Sequence, residues 1–163
     1  MLRFILSSVL TLSMTALAQD VSWRDLPLTD ARTGETFTLA DLGDQTILVE
    51  PMATWCANCR HQLGNVRDAK TQLGDEALVT FVALSIETTL KADALARYAE
   101  EQGFDFTFAV MTPEMLRALA TEFGQAVASP PSTPHFVIYP DGTTTDLFTG
   151  FQAPDELIAL VQP

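Results

Sequence analysis

Two residues carry the strongest chemical signal in this sequence. Cys56 and Cys59 are its only cysteines, separated by Ala57 and Asn58. A bridge across so short a loop would constrain the unfolded chain little, so the pair reads as chemistry rather than as reinforcement. The chemistry is thiol–disulfide exchange, which needs a thiolate, and a free cysteine is mostly protonated at neutral pH. Cys56 stands between an apolar, β-branched run and a helical pattern that begins near Ala57. At such a junction unpaired backbone N–H groups and the helix dipole stabilise a sulfur anion. Cys56 is therefore expected to attack. Cys59, one helical turn on, is expected to be the more buried of the two and to act as the resolving thiol.

Other uses of a cysteine pair fit less well. A structural zinc site needs further ligands, and only His61 and His135 remain. Covalent haem attachment requires histidine directly after the second cysteine, and Arg60 stands there. A peroxidase centre needs a lone low-pKa cysteine in its own motif, a spacing that Pro51, Thr54 and Cys56 do not have. No bound cofactor and no metal are expected for exchange itself.

The elements that must position this pair follow from periodicity. Pro27–Asp30 and Thr36–Leu39 flank Arg32-Thr33-Gly34, which predicts a small hairpin. Thr46-Ile47-Leu48-Val49-Glu50 predicts a central strand, and Pro51, which cannot donate to a ladder, predicts its end or a kink at Glu50. Leu63, Val66, Ala69 and Leu73 recur at helical spacing up to Gly74. Leu78–Leu84 is a second strand, Leu90 to Ala99 a helix ending at Gly103, and Phe106–Val110 a third strand. Thr112-Pro113-Glu114 opens a helix through Phe123, with a capping hydroxyl and proline just inside. After the stiff Ser129–Pro134 connector, His135–Tyr139 is a strand. Pro140-Asp141-Gly142 turns it into a partner strand over Thr143–Thr149, and Pro154–Val161 is a closing helix. Strands alternating with helices, then a terminal hairpin, define an α/β domain with a mixed sheet.

Composition bounds the rest. Of 163 residues, 47% are apolar and 18% charged, a folded rather than disordered balance. Met1-Leu2-Arg3, the apolar run from Phe4 to Leu12 and Ala16-Leu17-Ala18 have the layout of a secretory signal peptide. Cleavage is expected after Ala18, leaving residues 19–163 as one soluble domain, periplasmic or otherwise exported. Losing Arg3 takes the formal charge from −12 to −13. So acidic a domain repels phosphate backbones and anionic lipid, which argues against nucleic-acid binding and membrane insertion. A monomer is expected.

The run Ile47-Leu48-Val49-Glu50-Pro51-Met52-Ala53-Thr54-Trp55-Cys56-Ala57-Asn58-Cys59 resembles the strand and Ala-Thr-Trp-Cys-x-x-Cys motif of the thioredoxin superfamily, specifically its exported TlpA-like/redoxin branch. The likeness extends to Thr133-Pro134 before Phe136-Val137-Ile138-Tyr139-Pro140-Asp141-Gly142 and to Gly150. It implies a thioredoxin fold with an N-terminal β-hairpin extension, and an enzyme, a protein thiol–disulfide oxidoreductase. Its partners would be protein thiol or disulfide clients and a separate electron donor. The resemblance also implies a cis Thr133–Pro134 bond beside the cysteines, with Trp55, Thr133 and Pro134 meeting the client. Glu50 falls where many members keep a buried acid; burial raises a carboxyl pKa and fits it to relay a proton with Cys59. The chain departs from the family at Pro51, at Met52, at Ala57-Asn58 and at His135. His135 follows the expected cis-proline and could face the thiols. The alternative is a copper(I)-binding metallochaperone on the same fold, using Cys56, Cys59 and His135 as two thiolates and an imidazole. Copper carriers of the superfamily typically have a wider cysteine gap.

Overall fold

A computed structural model of the chain describes residues 22–74 and 76–162. The expected signal peptide, residues 1–18, lies outside the described residues. Two short strands come first, β1 (Leu28–Thr29) and β2 (Thr36–Phe37), paired antiparallel as the hairpin that the sequence predicts. Its turn is held by Asp30, whose Oδ1 accepts the N–H groups of Arg32 at 2.8 Å and Thr33 at 2.9 Å.

The main sheet has four strands: β3 (Thr46–Met52), β4 (Val79–Ser85), β5 (Thr107–Val110) and β6 (Phe136–Ile138). Their spatial order is β5-β4-β3-β6, with β3, β4 and β5 parallel and β6 antiparallel to β3. The helices α1 (Ala57–Leu73), α2 (Ala92–Glu101), α3 (Pro113–Phe123) and α4 (Pro154–Val161) complete the fold. Thr112 caps α3 through its hydroxyl, which accepts the Met115 N–H at 3.1 Å, with Pro113 as the first helical residue.

Two expectations about strands need correction. Strand β3 does not end at Glu50 but runs through Pro51 to Met52, in register with Leu84 and Ser85 of β4. The N–H of Thr46 and the carbonyl of Met52 both point to the β4 side. By the two-residue alternation of a strand, Pro51 therefore turns its missing donor toward β6. Pairing with β6 stops at Val49, so no ladder bond is lost. The second correction concerns Thr143–Thr149, which forms only isolated bridges, His135↔Phe148 and Ile138↔Thr144. Between those bridges three steps on one side face four on the other, a bulge that breaks the ladder. The Val137 N–H accordingly donates to the Thr145 hydroxyl at 3.0 Å.

The sheet has a core on each face. Leu48 and Met52 of β3 join α1, α2 and α4 residues such as Leu63, Val66, Leu95 and Leu157 on one side. Ile47 and Val49 join Trp23, Leu28, Met115, Leu119 and Phe136 on the other.

Candidate functional site

Cys56 is the N-cap of α1 in an extended conformation, and its carbonyl accepts the first helical bond, from the Arg60 N–H at 3.1 Å. The two cysteines form a disulfide, with Cα atoms 5.3 Å apart. Cys56 Sγ accepts the N–H of Cys59 at 3.0 Å. Cys59 Sγ lies 3.2 Å from the Pro130 carbonyl oxygen. The expectation that Cys59 would be the more buried is corrected: both residues are 3% exposed. The Pro130 carbonyl lies against Cys59 and the Cys59 N–H against Cys56, so their difference lies in polar partners, not in depth. Trp55, immediately before the pair, is 63% exposed.

The segment facing the disulfide is a 3₁₀ turn, Pro130–Ser132, followed by Thr133 and Pro134. Asn58 stitches it to the cysteine helix, its side-chain amide donating to the Pro131 carbonyl at 2.9 Å. The expected cis Thr133–Pro134 bond is corrected: no cis bond occurs among the described residues. Thr133 instead adopts the left-handed region, φ 48° and ψ 58°. That reversal swings the chain from the turn into β6 across a trans bond. A β-branched residue is rarely found there, at a cost of about 1–3 kcal/mol. The Thr133 N–H donates to the Pro130 carbonyl at 2.8 Å, and the Gly150 N–H to that of Ser132 at 2.8 Å, which together hold the loop.

Glu50 projects from β3 between Leu48 and Met52, on the face that α1 covers. It is 4% exposed, and its Oε1 accepts the Gln62 side-chain N–H at 3.3 Å. Burial pushes its carboxyl well above the usual carboxylate range, and the Gln62 bond opposes that push only in part. Gln62 is one turn beyond Cys59 on the buried stripe of α1.

His135 is buried and stacked on Phe148 with ring centroids 5.5 Å apart. Its Nδ1 lies 3.0 Å from the Thr133 carbonyl, which can only accept, so the proton sits on Nδ1. Burial lowers the ring's pKa, while the Thr133 carbonyl and the Gln152 side chain favour the charged form. Among the described residues neither His135 Nε2 nor Gln152 Oε1, both buried, has a hydrogen-bond partner. Among the described residues no group of three His, Cys, Asp or Glu could hold a metal ion, so Cys56, Cys59 and His135 are not gathered into a copper-ligand set.

Two residues at the site were missed by sequence reasoning. Glu87, after β4, accepts the Thr54 N–H at 2.6 Å and the Thr54 hydroxyl at 2.9 Å, fixing the loop two residues before Cys56. A polar residue after a strand gives no sequence signal of that task. Gln62 did carry one: it is a polar residue beside Cys59, Leu63, Val66 and Ala69 on a helix stripe otherwise destined for the core.

Neither a protein-family model nor a curated protein sequence matches the chain. Solved structures do. A thiol:disulfide interchange protein of the thioredoxin family from Chlorobium tepidum TLS superposes with a TM-score of 0.68 at 21% identity, over 90% of this chain and 97% of that one. A secreted Mycobacterium tuberculosis disulfide oxidoreductase, described as homologous to E. coli DsbE, superposes at 0.62 with 19% identity, over 86% and 96%. Arabidopsis thaliana ScoI with copper bound superposes at 0.61 with 14% identity, over 82% and 91%. The chain therefore has the thioredoxin fold, with a Cys-x-x-Cys disulfide at the N-terminus of α1.

Proposed function

We propose that the protein is an exported thiol–disulfide oxidoreductase that reduces disulfides of protein clients through Cys56 and Cys59. The observation that carries this reading is the asymmetric bonding of the pair at a helix N-terminus. The sulfur of Cys56 takes a backbone N–H, which favours a thiolate once the bridge is reduced. The sulfur of Cys59 faces a carbonyl, which as a thiol it can only donate to, so it keeps its proton.

In the reducing direction the Cys56 thiolate attacks one sulfur of a client disulfide. A Cys56–client bond forms, the client bond breaks, and the second client sulfur leaves with the electron pair and takes a proton from water. Glu50, as a carboxylate, accepts the proton of the Cys59 thiol. The Cys59 thiolate then attacks Cys56 Sγ, forming the internal disulfide and expelling the first client sulfur as a thiolate that is protonated in turn. The client gains two electrons and the protein becomes the disulfide form. A separate dithiol donor must return it to the dithiol. Trp55, beside Cys56 and largely exposed, provides the surface that a client segment meets, while Thr133 and Pro134, buried behind it, shape the loop that faces the disulfide.

The test is a trap. Cys59→Ser leaves Cys56 able to attack but removes the resolving thiol, so mixed disulfides should accumulate on export-compartment proteins, and Cys56→Ser should capture none. Equal capture by both variants would sink the reading. The copper(I) carrier is the competing reading, supported by the fold likeness to ScoI with copper bound. On this chain it has two sulfur donors and a histidine whose Nδ1 is already engaged. Tight copper(I) binding by the reduced protein that weakens in His135→Ala would favour it.

A further inference from the structure

Glu50 is not alone in its pocket. The backbone N–H of Gln152 donates to Gln62 Oε1 at 3.1 Å. A backbone N–H can only donate, so the oxygen of the Gln62 amide must face it, and the NH₂ group is turned onto Glu50. Asn65, three residues along the same helix, donates to the Gln152 carbonyl at 2.8 Å. Two amide side chains of α1 thus hold both backbone groups of residue 152, and the loop in return fixes which way Gln62 points.

We propose that Gln62 is a positioning residue for the exchange reaction: anchored on Gln152, its amide holds Glu50 Oε1 so that Oε2 exchanges the proton with Cys59. This rests on the proposed role of Glu50 and adds the group that aims it. Gln62 stands one turn from Cys59, a separation of about 5–6 Å on a helix surface. It donates to Oε1 in either protonation state, so the carboxyl proton is left to Oε2, which has no hydrogen-bond partner among the described residues. A donor on a buried carboxylate also stabilises the anion, the form that must exist to accept the Cys59 proton. Among the described residues no charged side chain acts on Glu50. The core on this face brings Cys56, Cys59 and the phenols of Tyr98 and Tyr139 as its other titratable groups, with His135 reached through Gln152. None of these is a donor in Gln62's place.

The experiment follows the resolving step alone, in single turnover of the full chain from the Cys56 mixed disulfide, as a function of pH. Gln62→Met keeps the length and removes the donor. The midpoint of the resolving-rate profile should rise by about one pH unit, with a tenfold loss of rate below it. Initial attack, measured separately on the Cys59→Ser background, should be unchanged. In a Glu50→Gln background the Gln62→Met change should move nothing further. If Gln62→Met does not refold, Gln62→Asn, which keeps an amide too short to span both partners, should raise the same midpoint by less. A resolving rate reduced equally at every pH, with the midpoint fixed, would show a merely structural role and overturn the proposal. A profile that Glu50→Gln itself leaves unaltered would instead remove the role of Glu50, so the two failures are told apart.

Discussion

The two faces of strand β3 are built from neighbouring residues and do opposite work. Ile47 and Val49 enter a core with Trp23, Leu28, Met115, Leu119, Val127 and Phe136, with no carboxyl from β3 among them. Trp23, Phe123 and Phe136 pack there ring against ring, with Phe123 and Phe136 stacked at 4.2 Å. Leu48 and Met52 enter the other core, and between them stands a carboxyl with a single hydrogen bond. A buried carboxyl is costly to ionise, so the second face gives up stability that the first does not. The first face supports the strand from behind; the second keeps an acid bonded to Gln62, itself one helical turn from Cys59.

If that division holds, damage to the closed face should cost stability and spare chemistry. Leu119→Ala in α3, where the side chain is fully buried, should lower unfolding free energy by about 2–5 kcal/mol in urea titration. The exchange rate per folded molecule should stay at the parent value. A proportionate loss of rate would break the comparison.

The converse holds for Glu50→Gln, which keeps shape and removes the charge. Exchange should fall by about a hundredfold near neutrality, measured as resolution of the mixed disulfide. Stability should move the other way with pH. The folded-state pKa of Glu50 is raised, so its favourable contribution is complete below the usual carboxyl range and is lost as pH rises through the raised value. Unfolding midpoints at about pH 5 and about pH 8 should therefore separate for the parent and lie closer together for Glu50→Gln.

The smallest effect sharpens the boundary between the faces. Glu87 sits just beyond β4 and touches the site only through Thr54. Glu87→Ala should cost about 1–3 kcal/mol by leaving the Thr54 N–H unpaired, and should slow the first attack by loosening the loop before Cys56. Glu87→Gln, which still accepts that N–H, should recover most of both.

Much of this site could be read from one stretch of sequence. The order strand, Glu50, Cys56, helix, Cys59 is local, and residues so close in the chain are placed by the strand–helix junction itself. The structure puts Glu50 in the core and Cys56 at the helix cap. Less legible was the far side of the site. Thr133 and Pro134 do lie in the loop whose Pro130 turn touches Cys59, but the cis bond is absent because Thr133 turns left-handed instead. Pro51 was misjudged because its cost depends on which neighbour its nitrogen faces, and only the early end of β6 shows that the place is free.

What the sequence by itself determined is whatever depends on residues near in the chain. That covers the cysteine pair at a helix start, the alternation of strands and helices, the cap of α3, and the parity that sends Glu50 to one face. Tertiary structure decided what depends on residues far apart. Gln62 meets Gln152 across 90 positions and Thr54 meets Glu87 across 33. Hydrogen bonds of that kind leave no periodicity behind, because each is made by one side chain whose partner is brought to it only when the two cores close on the sheet.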